Sequence, residues 1–130
     1  MNGRFLLDTN IIIALLNGEE VVTRRFRMDP EAYLPVIAVG ELYYGAHHSA
    51  RVKTNVQRLE DLTRIATVLE CDKLTAHYYG RIKNVLRSKG RPVPDNDLWI
   101  AAISQQHGLT LISRDRHFSQ IEGLAWETWQ

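Results

Sequence analysis

The stretch Arg4-Phe5-Leu6-Leu7-Asp8-Thr9-Asn10-Ile11-Ile12-Ile13-Ala14-Leu15-Leu16 joins two apolar runs through a polar triplet. Arg4-Phe5-Leu6-Leu7 reads as a strand buried on both faces, as in a parallel sheet covered by helices. Asp8-Thr9-Asn10 then supplies capping and first-turn groups for a helix carrying Ile11 to Leu16. A strand that passes directly into a helix opens an α/β unit. Asp8 therefore belongs at a strand's carboxyl end, the edge at which open parallel sheets bind ligands.

The same reading extends outward. A short helix is predicted from Glu19 to about Arg27, acidic at its start and basic at its end as the helix dipole prefers, with Asp29-Pro30 ending it. A second strand, around Ala32 to Ile37, feeds a helix in which Val39, Leu42, Tyr43 and Ala46 recur at helical spacing, with Glu41 near its first turn. Pro35 implies either an edge position or an early entry into that helix. A polar helix from about Arg51 to Ile65 precedes a short strand around Thr67 to Glu70. Asp72 then caps a longer helix bearing Leu74, Tyr78, Ile82, Val85 and Leu86 on one face, which stops near Gly90. The loop from Gly90 to Asn96 holds two prolines and spans roughly 20 Å when extended, enough to return to the active edge. A helix from Asp97 to about His107 descends antiparallel to the following strand, Leu109 to Ser113, and Asp115 follows that strand.

Asp8, Glu41, Asp97 and Asp115 are thereby expected at one rim of one sheet. Carboxylates so close repel one another, and a divalent cation that neutralises them makes the cluster tolerable. Mg²⁺ or Mn²⁺ held by these four acids is the leading expectation, and the pattern does not choose between one ion and two. Blander roles compete: Asp8 as a helix cap, Asp97 as a first-turn acid, Asp115 as a turn residue. Glu41 has no such easy alternative. Asp72 and Asp95 read as caps. Thr9, Asn10 and Ser113 are candidates to hydrogen-bond and orient the carboxylates, against ordinary local capping. His47 and His48 lack spaced partners for metal ligation. Trp99, Trp126 and Trp129 read as core or interface.

Composition narrows the class. With 130 residues and 45 % apolar content, one domain over 1–130 is expected. A formal charge of +1 excludes an overwhelmingly basic surface, so any polyanion must bind a local patch. The single Cys71 excludes an internal disulfide framework and fits a reducing compartment. Met1 leads within a few residues into the first strand, and no apolar run approaches the roughly 18 residues of a membrane span. A soluble, cytoplasmic protein without membrane association is expected. No repeat or low-complexity segment is evident.

Four segments in order, Phe5-Leu6-Leu7-Asp8-Thr9-Asn10, Val39-Gly40-Glu41-Leu42-Tyr43-Tyr44-Gly45, Pro94-Asp95-Asn96-Asp97-Leu98-Trp99-Ile100-Ala101-Ala102 and Leu111-Ile112-Ser113-Arg114-Asp115, carry a resemblance. Through them the chain resembles PIN domains of the VapC toxin type over essentially its whole length. The resemblance implies a three-layer α/β/α fold around a central parallel sheet and a metal-dependent endoribonuclease. It also implies a homodimer and a toxin paired with a cognate antitoxin. On this resemblance Asp8, Glu41 and Asp97 take the three principal acidic positions and Asp115 the fourth, more variable one. Ser113 stands where a threonine is common and keeps the hydroxyl. The implied reaction is phosphodiester hydrolysis, in which Arg114, Arg116 and Arg91, with Lys89, Arg51 and Lys53, are the candidates to receive the RNA backbone.

Two other readings remain. Asp8-Thr9-Asn10 after an apolar strand also suits an aspartyl phosphotransferase or phosphatase, in which Asp8 would be a nucleophile, although a second Asp is usual where Asn10 stands. A non-catalytic module that binds a basic partner through its acids is the other.

Overall fold

The computed structural model describes residues 4–28 and 31–130. The Asp29-Pro30 stop lies outside them. Strand β1 (Phe5–Leu7) is followed by helices α1 (Thr9–Leu16) and α2 (Glu20–Met28), then β2 (Ala32–Pro35), α3 (Val36–His47) and α4 (Val52–Ile65). Next come β3 (Thr67–Leu69), α5 (Lys73–Ser88), α6 (Asp95–His107), β4 (Thr110–Ile112), a 3₁₀ turn (Arg116–Gln120) and β5 (Trp126–Glu127).

The strands form one sheet in the order β3-β2-β1-β4-β5. Every pairing is parallel. Leu6 pairs with Tyr33 on one side and Leu111 on the other. Right-handed crossovers from β1 to β2 and from β2 to β3 step one way along the sheet, which puts α1 to α4 on one face. The return from β3 to β4 reverses the step and puts α5 and α6 on the opposite face, completing three layers. Packing follows this division: α1 meets α2 and α3, α3 meets α4, and α5 lies along α6. Between the layers Leu6, Leu7, Ile11, Ile12, Leu34, Ile100, Leu111 and Ile112 are buried, so the unbroken apolar strands face helices on both sides.

Pro35 resolves toward early helix entry, since it ends β2 and occupies the position before α3. Glu41 consequently lies in the second turn of α3 rather than the first. The final helix starts at Asp95, so Asp95 and Asn96 belong to α6 rather than to the preceding loop. Asp97 is its third residue. Asp72 caps α5 as expected, through a reciprocal pair with Thr75. The unforeseen element is β5, which extends the sheet beyond β4 and carries the chain to Trp129. That indole is buried edge-on against Phe5, ring centres 5.3 Å apart.

Because strand order reverses between β1 and β4, their carboxyl ends flank the crevice where connections leave for opposite faces. Asp8 follows β1 and Ser113 follows β4 at that crevice.

Candidate metal centre

Asp8 is 3 % exposed and serves in two ways. As the cap of α1 it accepts the Thr9 amide at 2.8 Å, and its other oxygen accepts the Ser113 hydroxyl at 2.6 Å. The capping reading of Asp8 holds, and the same carboxyl also faces the crevice through Ser113. Ser113 is a hub: its oxygen also receives Asn10 Nδ2 at 3.3 Å and the Asp115 amide at 3.0 Å. Asn10 Oδ1 in turn accepts the Arg114 amide at 3.2 Å. Asp8, Asn10 and Ser113 therefore tie the turn after β1 to the turn after β4, while the Thr9 hydroxyl turns toward α3.

Glu41 reaches the same region from α3. Thr9 Oγ1 donates to one of its carboxylate oxygens, and Asn96 Nδ2 donates to the other at 3.0 Å. Asp97, on the first turn of α6, lies 2.7 Å from Nε2 of His117. On the other edge of that imidazole, Nδ1 faces Asp115 at 3.4 Å. One ligand atom each from Asp97, Asp115 and His117 fall within 4.8 Å of one another. Asp8 and Glu41 border this closest group without joining it.

The electrostatics join all four acids. Burial, helped by Asp97 and Asp115, pushes the Asp8 carboxyl up to about 6 against the pull of the Ser113 and Thr9 hydrogen bonds. Burial also raises Asp97, opposed by the contact with His117 and assisted by Asp115 and Glu41. Asp8 lies in the field of Asp97 and Asp115, and Asp97 in that of Asp115 and Glu41.

Two partners escaped the sequence reading. Asn96 looked like a loop residue, and its partner Glu41 is distant in the chain; His117 belongs to no metal-ligand spacing. Adjacency was the available hint, since Asn96 precedes Asp97 and His117 lies two residues beyond Asp115.

The basic candidates divide. The Arg114 guanidinium is committed to Glu19 at 2.8 Å and to the Trp129 carbonyl at 3.2 Å, so it clamps the chain's end to the start of α2. Lys89 pairs with Glu122 at 3.2 Å. Arg116, Arg91, Arg51 and Lys53 are exposed. His48 stacks on Tyr44 and stands apart from the acids. Trp99 stacks on Tyr79 at 4.1 Å, and Trp126 donates to the Ser113 carbonyl at 3.0 Å.

The sequence matches the family described as PIN domain over residues 5–124. It is 33 % identical over 129 residues to a ribonuclease VapC2 of Haemophilus influenzae, covering 97 % of this chain and 98 % of that protein. It is also 32 % identical over 129 residues to a tRNA(fMet)-specific endonuclease VapC of Shigella flexneri, with the same coverage of 97 % and 98 %. The DNA-bound VapBC structure from Salmonella typhimurium superposes with a TM-score of 0.93 at 32 % identity, over 100 % of both chains. With a switch-point cluster of acids on a parallel sheet and these relatives along nearly its full length, the chain belongs to the PIN-domain family, in the group of VapC-type ribonuclease toxins.

Proposed function

We propose that this protein is an endoribonuclease that hydrolyses phosphodiester bonds with a divalent cation, Mg²⁺ or Mn²⁺, held by Asp8, Glu41, Asp97 and Asp115. The observation that carries this reading is the buried Asp8 carboxyl at the crevice where Asp97 and Asp115 lie close together. Such a group is poorly accommodated without positive charge beside it, and oxygen donors suit a hard cation. When bound, the cation supplies charge that polarises a phosphoryl oxygen and acidifies a water.

The protein's own side chains supply position. Thr9 and Asn96 hold both oxygens of Glu41, and Ser113 fixes Asp8, so the carboxylates need little reorganisation when substrate arrives. The phosphotransferase reading is disfavoured at Asn10, which stands where that chemistry usually has a second acid and is spent on Ser113 and the Arg114 amide.

The relatives guide substrate and partner. A structured RNA such as a transfer RNA is the proposed substrate, with Arg116 and Arg91 receiving phosphates. A cognate antitoxin is proposed for the groove of about 270 Å³ that runs from Glu41 between α1, α3 and α4, lined by Ile13, Leu42 and Leu59. Its apolar residues would cover this groove while a cation faces Glu41. Ile13, Val21 and Met28 expose apolar surface on the early helices, which suits self-association into a homodimer. No helix among the described residues is long and apolar enough to cross a membrane, and a cytoplasmic site of action fits an RNA substrate.

Purified protein incubated with total RNA, with Mn²⁺ or with chelator, tests the activity. Discrete new ends that sequencing finds only with Mn²⁺ are expected. Intact RNA under both conditions would remove the nuclease assignment.

A further inference from the structure

The imidazole of His117 has a position that acid chemistry alone does not explain. Its Nε2 is buried and, among the described residues, has no hydrogen-bond partner, although Oδ2 of Asp97 is only 2.7 Å away. A buried, unpaired ring nitrogen is costly unless something outside the protein's own donors and acceptors satisfies it. Nδ1, across the ring, faces Oδ1 of Asp115 at 3.4 Å. A histidine that ligates a metal through one nitrogen while its other nitrogen faces a carboxylate has this same arrangement, the carboxylate setting tautomer and ring orientation.

We propose that His117 Nε2 is a nitrogen ligand of the divalent cation, beside Asp97, with Asp115 orienting the ring. The proposal rests on the metal-dependent reading above and deepens it by changing the donor set from oxygen alone to oxygen plus imidazole, with Asp115 moved from the ion to the ring that binds it. Ligands at about 2.1 Å in octahedral geometry lie roughly 3 Å apart in cis positions, so the existing Asp97–His117 contact needs only slight spreading. The consequence is selectivity. Imidazole favours transition ions over Mg²⁺, so the site should prefer Mn²⁺ beyond what carboxylates confer, and His117 should be the origin of that margin.

The test is pulsed electron paramagnetic resonance of the Mn²⁺-loaded full-length protein, with Mn²⁺ and Mg²⁺ affinities measured by calorimetry. Wild type should show nitrogen modulation from a coordinated imidazole, replaced by the ¹⁵N pattern when histidine is labelled with ¹⁵N. His117→Gln should lose that modulation and bind Mn²⁺ about tenfold or more weakly, with Mg²⁺ affinity changed far less. Should His117→Gln fail to fold, as its circular dichroism would show, the labelled wild-type spectrum decides. Mn²⁺ bound without histidine nitrogen coupling overturns the role of His117 while leaving the carboxylate site standing. Equal losses of Mn²⁺ and Mg²⁺ affinity in His117→Gln also overturn it. Absence of any Mn²⁺ binding would overturn both the ligand assignment and the metal centre.

Discussion

Asp8 is a buried carboxyl whose two hydrogen bonds do not offset its loss of water, and the sign of its shift sets a stability profile. Its carboxyl lies near 6 when folded, against 3.8 for an unperturbed aspartate. Between these values the folded, metal-free protein keeps a proton that the unfolded chain has released. Stability is therefore lost as pH rises through this window and stays lower above it, by on the order of 2 to 3 kcal/mol. Asp8→Asn removes the titration, and asparagine can still cap α1 through the Thr9 amide. In chelator at pH 7 the variant should melt no lower than wild type and show a flatter pH profile, yet cleave no RNA. A drop of about 1 kcal/mol instead would reduce Asp8 to a cap. Asn96 gives the complementary case, because it is exposed and, among the described residues, its side chain bonds only to Glu41. Asn96→Ala should lower activity about 10- to 100-fold through a loosened Glu41, with stability changed by less than about 0.5 kcal/mol. Urea melts beside cleavage rates separate the two effects.

At the scale of elements, α5 and α6 show how a cap differs from a candidate site residue of the same type. Asp72 accepts the Thr75 amide at 3.0 Å and Gln106 Nε2 at 3.0 Å, binding the start of α5 to the last turn of α6. Asp72→Ala should lower the urea midpoint clearly while cleavage per folded molecule stays unchanged. Loss of activity without loss of stability would give Asp72 a part in the chemistry. This cap was legible in the sequence because its signal is local, an acid followed three residues later by threonine before an apolar-periodic run. Asp8, Asp97 and Asp115 were legible for a related reason, since each stands where one element passes into another. Glu41 was located to its helix but one turn too early, because Pro35 begins α3 sooner than the apolar spacing suggests. Strand β5 was missed, its length being too short to show alternation, and it holds through pairing with β4 and the burial of Trp129. Asn96 and His117 were missed because what defines them is a contact across the fold rather than a pattern along the chain.

For the whole molecule, metal and fold should be linked. A ligand bound only by the folded state stabilises it by about 2.7 kcal/mol at a hundredfold excess over its dissociation constant. Millimolar Mn²⁺ should thus raise the melting temperature of wild type clearly and that of Asp97→Asn much less. Equal shifts would place the ion elsewhere. The sheet order carries a different consequence, one of timing. Central strand β1 pairs with β4, whose residues are made far later than Asp8 and Glu41, and Asp115 and His117 come later still. Long-range parallel pairings form slowly, and a growing chain folds from its early parts first. Up to Thr110 the growing chain holds three of its four acids, Asp8, Glu41 and Asp97, and none of the crevice that assembles them. The nuclease is therefore born latent: a nascent chain halted before Thr110 should cleave nothing, and the ribosome making it finishes its work before the new enzyme can act on RNA.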